Sequence, residues 1–242
     1  MPATVLDELQ ARAREIWRDR GLLEERVAVA ARVLTPEEAI GNPEGDDFPI
    51  QKGRERMMQA QVLGARGQAF SDRFGDFAGT LAEIAAMKLE NNYRRAVFVS
   101  ALNASLRALG LCDRTVHCRD AGPGECAQLL REHLRDLYWD ARVVQIGYQP
   151  KFVAALAGTR RLRVLDLDRD NVGRTLHGVL IEGPENRDGA VAWADVLLVT
   201  GSALVNGSMD DFCVGKPLVV YGVSGAGAAA LLGWDRFCAR SE

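Results

Sequence analysis

The chain has 242 residues, of which 48% are hydrophobic and 26% charged, as in a globular protein with a sizeable core. Its formal net charge of −3 excludes the strongly basic surface typical of nucleic-acid binding. The first 21 residues mix acids and arginines and do not resemble a signal peptide, and the uncharged stretch 217–234 is too rich in glycine for a membrane span. We therefore predict a cytoplasmic protein with no nucleic-acid or membrane partner, whose five cysteines are reduced thiols.

The first elements along the chain predict a helix followed by a strand. Apolar residues spaced three and four apart predict the helix over residues 4–22, and apolar–polar alternation predicts the strand over residues 26–34. Thr35 opens a capping-box pattern, which predicts a short helix or turn. Residues 41–52 are polar and rich in glycine, proline and aspartate, so a loop is expected there.

Two further strands and two helices are expected before residue 110. Residues 57–70 have an extended pattern that Gly64 and Gly67 can bend into two strands. A second capping box at Thr80 predicts a helix to about residue 91, and residues 94–109 predict another. Together these elements indicate a small α+β unit.

The second half of the chain has the pattern of a parallel sheet. After a long amphipathic helix, predicted over residues 125–137, short apolar runs alternate with helical stretches. The predicted strands cover residues 141–146, 162–167, 195–200 and 217–221, and the predicted helices between and after them cover residues 151–157, 204–213 and 226–237. The fold class is therefore α/β, with an α+β domain over residues 1–110 and a Rossmann-like ligand-binding domain over residues 111–242.

Ligands of such sheets bind beyond the carboxyl ends of the strands, which points to the residues that follow each run. The candidate ligand-binding residues are Tyr148, Asp166, Asp168, Thr200, Gly201, Ser202, Asn206, Ser224 and Gly225. The two turns that begin near Thr200 and Gly222 contain small residues ahead of helices, which suits anion binding by backbone N–H groups. The alternative is that small residues there only permit tight strand–helix turns.

Asp166 stands 19 residues beyond Gly147, a distance at which an acid often binds a ribose hydroxyl. However, Tyr148 and Pro150 replace the small residues that a pyrophosphate requires, which argues against a dinucleotide and leaves a nucleoside cofactor open. Asp166 can equally bind the backbone of its own turn.

The chain contains one cluster of metal-binding residue types, formed by His117, Cys118 and Cys126. Thiolates and imidazole bind thiophilic transition metals, so such a metal is the candidate cofactor. A closed zinc site needs four ligands at tighter spacing, and the alternative is a buried cysteine pair beside a surface histidine. Cys213 and Cys238 are expected to be core or helix-end residues.

Four segments resemble the putative heavy-metal chelation family. They are residues 194–208 (Ala-Asp-Val-Leu-Leu-Val-Thr-Gly-Ser-Ala-Leu-Val-Asn-Gly-Ser), 100–104, 166–173 and 221–232. The resemblance implies a Rossmann-like domain after an enolase-N-terminal-like domain, a dimer, and a cleft between the domains that handles metals or metal-containing small molecules. Its polar positions match Asn103 as well as Asp166, Thr200, Asn206 and Ser224. Asn103 is expected either to face the cleft or to make an interhelical hydrogen bond.

Three hypotheses about function follow. The first is binding of a metal ion, or of a small anionic or metal-chelate metabolite, in the interdomain cleft. The second is a transferase that uses a nucleoside cofactor held by Asp166 or Asp168. The third is a non-catalytic adaptor subunit in a metal-cofactor or redox pathway. The sequence contains no Gly-x-Ser-x-Gly, Walker or His-Glu-x-x-His motif, so it names neither a catalytic residue nor a reaction.

Overall fold

The computed structural model describes residues 3–30, 56–118 and 122–242. The turn expected at Thr35 and the loop expected over residues 41–52 lie outside the described residues. Within them, no helix combines the length and the apolar character needed to cross a membrane.

The first half forms an antiparallel sheet covered by helices, here called the N-terminal sheet. Its strands lie in the order β3-β2-β1-β4, and all neighbouring pairs are antiparallel. The elements are α1 (Val5–Asp19), β1 (Arg26–Ala30), β2 (Arg56–Val62), β3 (Ala65–Ser71), β4 (Phe77–Thr80), α2 (Leu81–Ala85) and α3 (Asn92–Ala108). The helices predicted over residues 4–22 and 94–109 and the two strands predicted over residues 57–70 are confirmed.

Helix α2 begins where its capping box predicts but ends earlier than expected. The Thr80 hydroxyl accepts from the Glu83 N–H, and the Glu83 carboxylate accepts from the Thr80 N–H. The helix ends at Ala85 rather than near residue 91, because the chain then turns and Asn91 caps the next helix. The side-chain amide of Gln10 donates to carbonyl oxygens in this turn, which stabilises the early end.

The second half forms a mostly parallel sheet, here called the C-terminal sheet. Its strands lie in the order β11-β10-β9-β5-β6-β8-β7, and all neighbouring pairs are parallel except β7 and β8. The elements are α4 (Gly122–Leu137), β5 (Val143–Ile146), α5 (Pro150–Leu156), β6 (Leu162–Leu165), β7 (Thr175–Leu176), β8 (Val179–Glu182), α6 (Arg187–Trp193), β9 (Val196–Thr200), α7 (Ser202–Asn206), β10 (Leu218–Tyr221), α8 (Ala226–Leu232) and β11 (Asp235–Phe237). The predicted α/β class, a Rossmann-like sheet preceded by a small α+β unit, is confirmed.

Two predicted helices are shorter than expected, and each ends at a glycine with positive φ. Gly207 (φ 71°) ends α7 at Asn206, and only a 3-10 turn (Met209–Phe212) follows. Gly233 (φ 69°) ends α8 at Leu232, so the region predicted as one helix over residues 226–237 contains strand β11 as well. Glycine permits this left-handed conformation without steric cost, which is why helices commonly end there.

Helix α3 lies between the two sheets. It packs against β2 and β3 on one side and against α7 and α8 on the other, and all its residues from Ala96 to Leu106 are buried. A single hydrophobic cluster contains buried residues of both halves, from Trp17 and Phe98 to Leu197 and Leu204. The division into residues 1–110 and 111–242 therefore stays a prediction, since both halves contribute to one core.

Lys216 caps the C-terminal end of α6, and its removal is expected to destabilise the fold. Its ammonium group donates to the carbonyl oxygens of Val191 (2.7 Å), Ala192 (3.0 Å) and Ala194 (2.6 Å), which lack partners within the helix. We expect Lys216→Met to lower the free energy of unfolding by about 1–2 kcal/mol in urea titrations. The control Lys88→Met, at an exposed lysine, should change it by less than about 0.5 kcal/mol.

Candidate functional site

A cavity of about 730 Å³ lies at the carboxyl ends of the strands of the C-terminal sheet. The chain runs from β5 to β6 on one side and returns to β9 on the other, so the sheet reverses its order at β5. Ligands of open α/β sheets bind at such a reversal. Phe70, Asp72 and Asn92 contribute to the lining from the N-terminal half, so both halves enclose the cavity.

The cavity brings together most of the residues singled out in the sequence. Its lining includes Tyr148, Asp166, Asp168, Thr200, Gly201, Ser202, Asn206, Ser224, His117, Cys118 and Cys126. Asn103 and Gly225 are not among the lining residues. The roles of all these residues towards a ligand stay predictions.

Asn103 lies behind the cavity wall, where it joins the two halves of the protein. Its amide donates to the carbonyl oxygens of Gln68 and Val223, both at 3.0 Å, and its Oδ1 accepts from the Gly227 N–H at 2.7 Å. The side chain is fully buried, and both its amide nitrogen and its amide oxygen are hydrogen-bonded within the protein. Asn103 therefore holds the turn after β10 against strand β3 and has little capacity left for a ligand.

Asp166 organises the loop that follows β6. Its carboxylate accepts from the backbone N–H groups of Tyr148 (2.5 Å) and Asp168 (2.6 Å). Burial raises the pKa of Asp166 above its usual range, while these two N–H donors act in the opposite direction. A carboxylate engaged in this way is positioned to fix the loop, and the geometry does not favour the ribose contact considered above.

The two small-residue turns after β9 and β10 pack directly against each other. A Cβ atom on Gly201 would lie 2.2 Å from the Gly225 nitrogen, so the backbones could not approach if a side chain were present. The Ser224 hydroxyl accepts from the Phe70 N–H at 3.1 Å and thereby joins the turn to strand β3. The small residues thus serve close packing of the cavity wall.

Gly147 closes the centre of the cavity floor, and we expect Gly147→Ala to be strongly destabilising. The residue has φ 88°, and a Cβ atom would lie 2.7 Å from Thr200 Cγ2 and 3.0 Å from Tyr221 Oη. The strained backbone and the clash together should lower the free energy of unfolding by about 2–4 kcal/mol. Gly124→Ala is the control, since it lies in α4 with open space around it and should stabilise by up to about 1 kcal/mol.

Three cysteines converge at the β11 end of the cavity, here called the thiol end (Cys118, Cys126 and Cys238). The Cys126 sulfur lies near the backbone N–H groups of Ala239 and Arg240, directly after Cys238, and these groups act to lower the pKa of its thiol. Burial, with the nearby thiols of Cys238 and Cys126, raises the pKa of Cys118 to about 12. Burial and the Cys238 thiol likewise raise the pKa of Cys126. All three are free thiols, and those of Cys118 and Cys126 are protonated at neutral pH.

The sequence pattern missed Cys238 because it missed strand β11. Cys238 was expected in the core or at a helix end, and it is indeed buried, but it follows a strand and lines the cavity. The only available signal was the apolar residue Phe237 after the helix-ending Gly233, which is too short a pattern to predict a strand.

His117 contributes a nitrogen donor beside the thiol end. Its Nδ1 lies 2.5 Å from the Cys118 carbonyl oxygen, which can only accept, so Nδ1 carries the proton and Nε2 has a free lone pair. Burial lowers the pKa of His117, so the ring is neutral at physiological pH. The ring also packs edge-on against Phe70, with centroids 5.5 Å apart, which restrains its orientation.

These donors are near one another but not yet arranged as a metal site. In the described ranges, no three His, Cys, Asp or Glu side chains are placed so that they could hold a metal ion as they stand. The residue types nevertheless fit a thiophilic metal, since thiolates and a neutral imidazole are its preferred ligands. Metal binding at the thiol end would therefore require these side chains to move from the positions they have here.

Comparison with known proteins supports the resemblance found in the sequence. The model of the DUF364 family, described as "Putative heavy-metal chelation", matches residues 131–227. A protein of unknown function from this family, from Pyrococcus horikoshii, has a similar structure with a TM-score of 0.55 and 14% identity, covering 92% of this chain and 80% of that one. Another protein of unknown function from this family, from Desulfitobacterium hafniense, has a TM-score of 0.51 and 10% identity. The match covers 73% of this chain and 72% of that one. No curated protein matches. The family resemblance is confirmed, and the solved structures support the fold alone.

Proposed function

We propose that the protein binds a soft metal ion at the thiol end of the cavity. The observation that carries the proposal is the convergence of three free cysteines, from the stretch 118–126 and from Cys238 after β11, on the lining of one cavity. Cys118 precedes α4, Cys126 lies in its first turns, and Cys238 follows β11. Sulfur ligands select soft metals such as Cu(I) and Cd²⁺ over Mg²⁺ or Ca²⁺.

His117 supplies the fourth donor in this proposal. Its Nδ1–H is held by the Cys118 carbonyl oxygen, which orients the ring and leaves Nε2 for the metal. Three sulfurs and one nitrogen form a ligand set known from tetrahedral metal sites. The rest of the cavity is large enough for a small molecule to reach the metal, since pockets for such ligands have volumes of about 300–1,000 Å³.

The proposal is tested by titrating the reduced, metal-free protein with Cd²⁺. The buffer contains a phosphine reductant, because thiol reductants would compete with the protein for the metal. We expect about one Cd²⁺ per chain, with the ultraviolet charge-transfer absorption of cadmium–thiolate bonds. The variant in which Cys118, Cys126 and Cys238 are all replaced by serine should lose this absorption. Cys213→Ser, at an exposed thiol that is not among the cavity-lining residues, is the matched control and should bind as the wild type does.

Equal binding by the wild type and the triple variant would contradict the proposal. So would a comparable loss in Cys213→Ser, since that result would indicate unspecific reaction of surface thiols. Circular dichroism of each variant establishes that the loss does not result from unfolding.

A further inference from the structure

A polar cluster joins the two halves of the protein at the cavity, here called the amide cluster (Asp72, Asn92 and Asn206). All three residues line the cavity, where Asp72 is exposed and the two asparagines are half-buried. Asn92 Nδ2 lies 2.7 Å from Asp72 Oδ1 and 3.5 Å from Asn206 Oδ1. Asp72 follows strand β3 and Asn206 ends helix α7, so one amide nitrogen connects both halves.

Arg95 fixes the orientation of both asparagine amides. Its Nη1 donates to Asn92 Oδ1 at 2.9 Å, and its Nε donates to the Leu89 carbonyl oxygen at 3.0 Å. Because a guanidinium can only donate and a carboxylate can only accept, Asn92 presents its oxygen to Arg95 and its nitrogen to Asp72. That nitrogen is a donor, so Asn206 turns its Oδ1 towards Asn92 and its Nδ2 away from it.

The amide cluster keeps one acceptor and one donor for a ligand. Among the described residues, Asp72 Oδ2 and Asn206 Nδ2 have no hydrogen-bond partner. Asn206 Nδ2 is not one of the unpaired atoms that the protein encloses, so it is open to solvent. The hydroxyls of Ser202 and Ser208, which also line the cavity, are unpaired and open in the same way within the described ranges. Ser202 and Asn206 are four residues apart on α7, a spacing that places side chains on one face of a helix.

We propose that the amide cluster binds neighbouring hydroxyl groups of a neutral ligand, such as those of a sugar ring or a polyol. One hydroxyl donates to Asp72 Oδ2, and the next accepts from Asn206 Nδ2. A hydroxyl can both donate and accept, so the two serine hydroxyls can bind further hydroxyls of the same ligand. A ligand carboxylate would be repelled by Asp72, and an ammonium group has no acceptor to offer Asn206. The cluster contains no thiol, so this site goes beyond the metal site proposed above and does not depend on it.

The test compares methyl β-D-ribofuranoside with its 2-deoxy analogue, which lacks one of the two neighbouring hydroxyls, on metal-free protein. Binding is followed in proton–nitrogen NMR spectra through the side-chain amide signals of Asn92 and Asn206. The ribofuranoside should shift these signals with a dissociation constant of roughly 1–10 mM, and the 2-deoxy analogue should bind about tenfold more weakly. Equal binding of the two sugars, or binding of neither, would overturn the proposal.

Two variants locate the binding. Asp72→Asn retains an oxygen that can accept from Asn92 but replaces the free acceptor with a donor, and Asn206→Ala removes the free donor. Each should weaken ribofuranoside binding about tenfold. Asp76→Asn is the matched control, at another exposed aspartate of the same loop outside the cavity lining, and should leave binding unchanged.

Ribofuranoside binding that is insensitive to both variants would also overturn the proposal, as would an equal loss in Asp76→Asn. The Cd²⁺ titration of the same protein reports on the thiol end alone. Failure of the hydroxyl site is therefore distinguishable from failure of the metal site.

Discussion

Replacing Asn103 by aspartate is expected to lower the free energy of unfolding by about 3–5 kcal/mol at neutral pH. The Asn103 amide donates to two carbonyl oxygens, and a carboxylate at this position would direct negative oxygens at both. The site is fully buried, so solvent cannot compensate. Urea unfolding monitored by tryptophan fluorescence measures the loss.

The pH dependence of this loss gives a second readout. Burial should raise the pKa of the introduced carboxyl in the folded state, so folding favours its protonated form. The destabilisation should therefore be smallest at low pH and grow as pH rises above the unfolded-state pKa. Asn186→Asp, at an exposed asparagine, is the control and should have almost no effect. A loss of less than about 1 kcal/mol for Asn103→Asp would contradict the assigned hydrogen bonds.

Cd²⁺ affinity is expected to rise steeply with pH if the thiol end is the binding site. The pKa of Cys118 is raised to about 12, so its thiol is protonated throughout the physiological range and must release its proton on binding. Cys126, whose pKa is also raised, behaves in the same way. His117 is already neutral because its pKa is lowered, so it releases none. Each released proton raises the association constant about tenfold per pH unit.

Competition titrations between about pH 6 and pH 8 should therefore give a slope of roughly two to three protons per Cd²⁺. A metal bound without the cysteines would displace no thiol protons, so its affinity would rise far less with pH. A shallow slope would therefore contradict the thiol site. The measurement thus separates thiol ligands from other ligands without mutation.

The architecture could be predicted because most of its helices and strands have sequence patterns that extend over several consecutive residues. The heptad-like spacing in α1, the capping box at Thr80 and the apolar runs of β5, β9 and β10 each extend over several residues. Elements of two or three residues, such as β7 and β11, carry too little pattern to be recognised. Their positions are determined by pairing with strands that are distant in sequence.

The candidate site could be predicted as a location but not in its contacts. The rule that ligands bind beyond the carboxyl ends of strands led to Tyr148, Asp168 and Asn206, all of which line the cavity. Whether a polar residue faces the cavity or the protein depends on tertiary contacts. Asn103 illustrates this, since contacts within the protein engage both ends of its amide.

The crystal structure of the protein with Cd²⁺, located by its anomalous scattering, tests the central claim most directly. We predict one strong peak within bonding distance of the sulfurs of Cys118, Cys126 and Cys238, with His117 Nε2 as the further ligand. A peak beside Asp166 and Asp168, or peaks confined to Cys112 and Cys213, would contradict the thiol site.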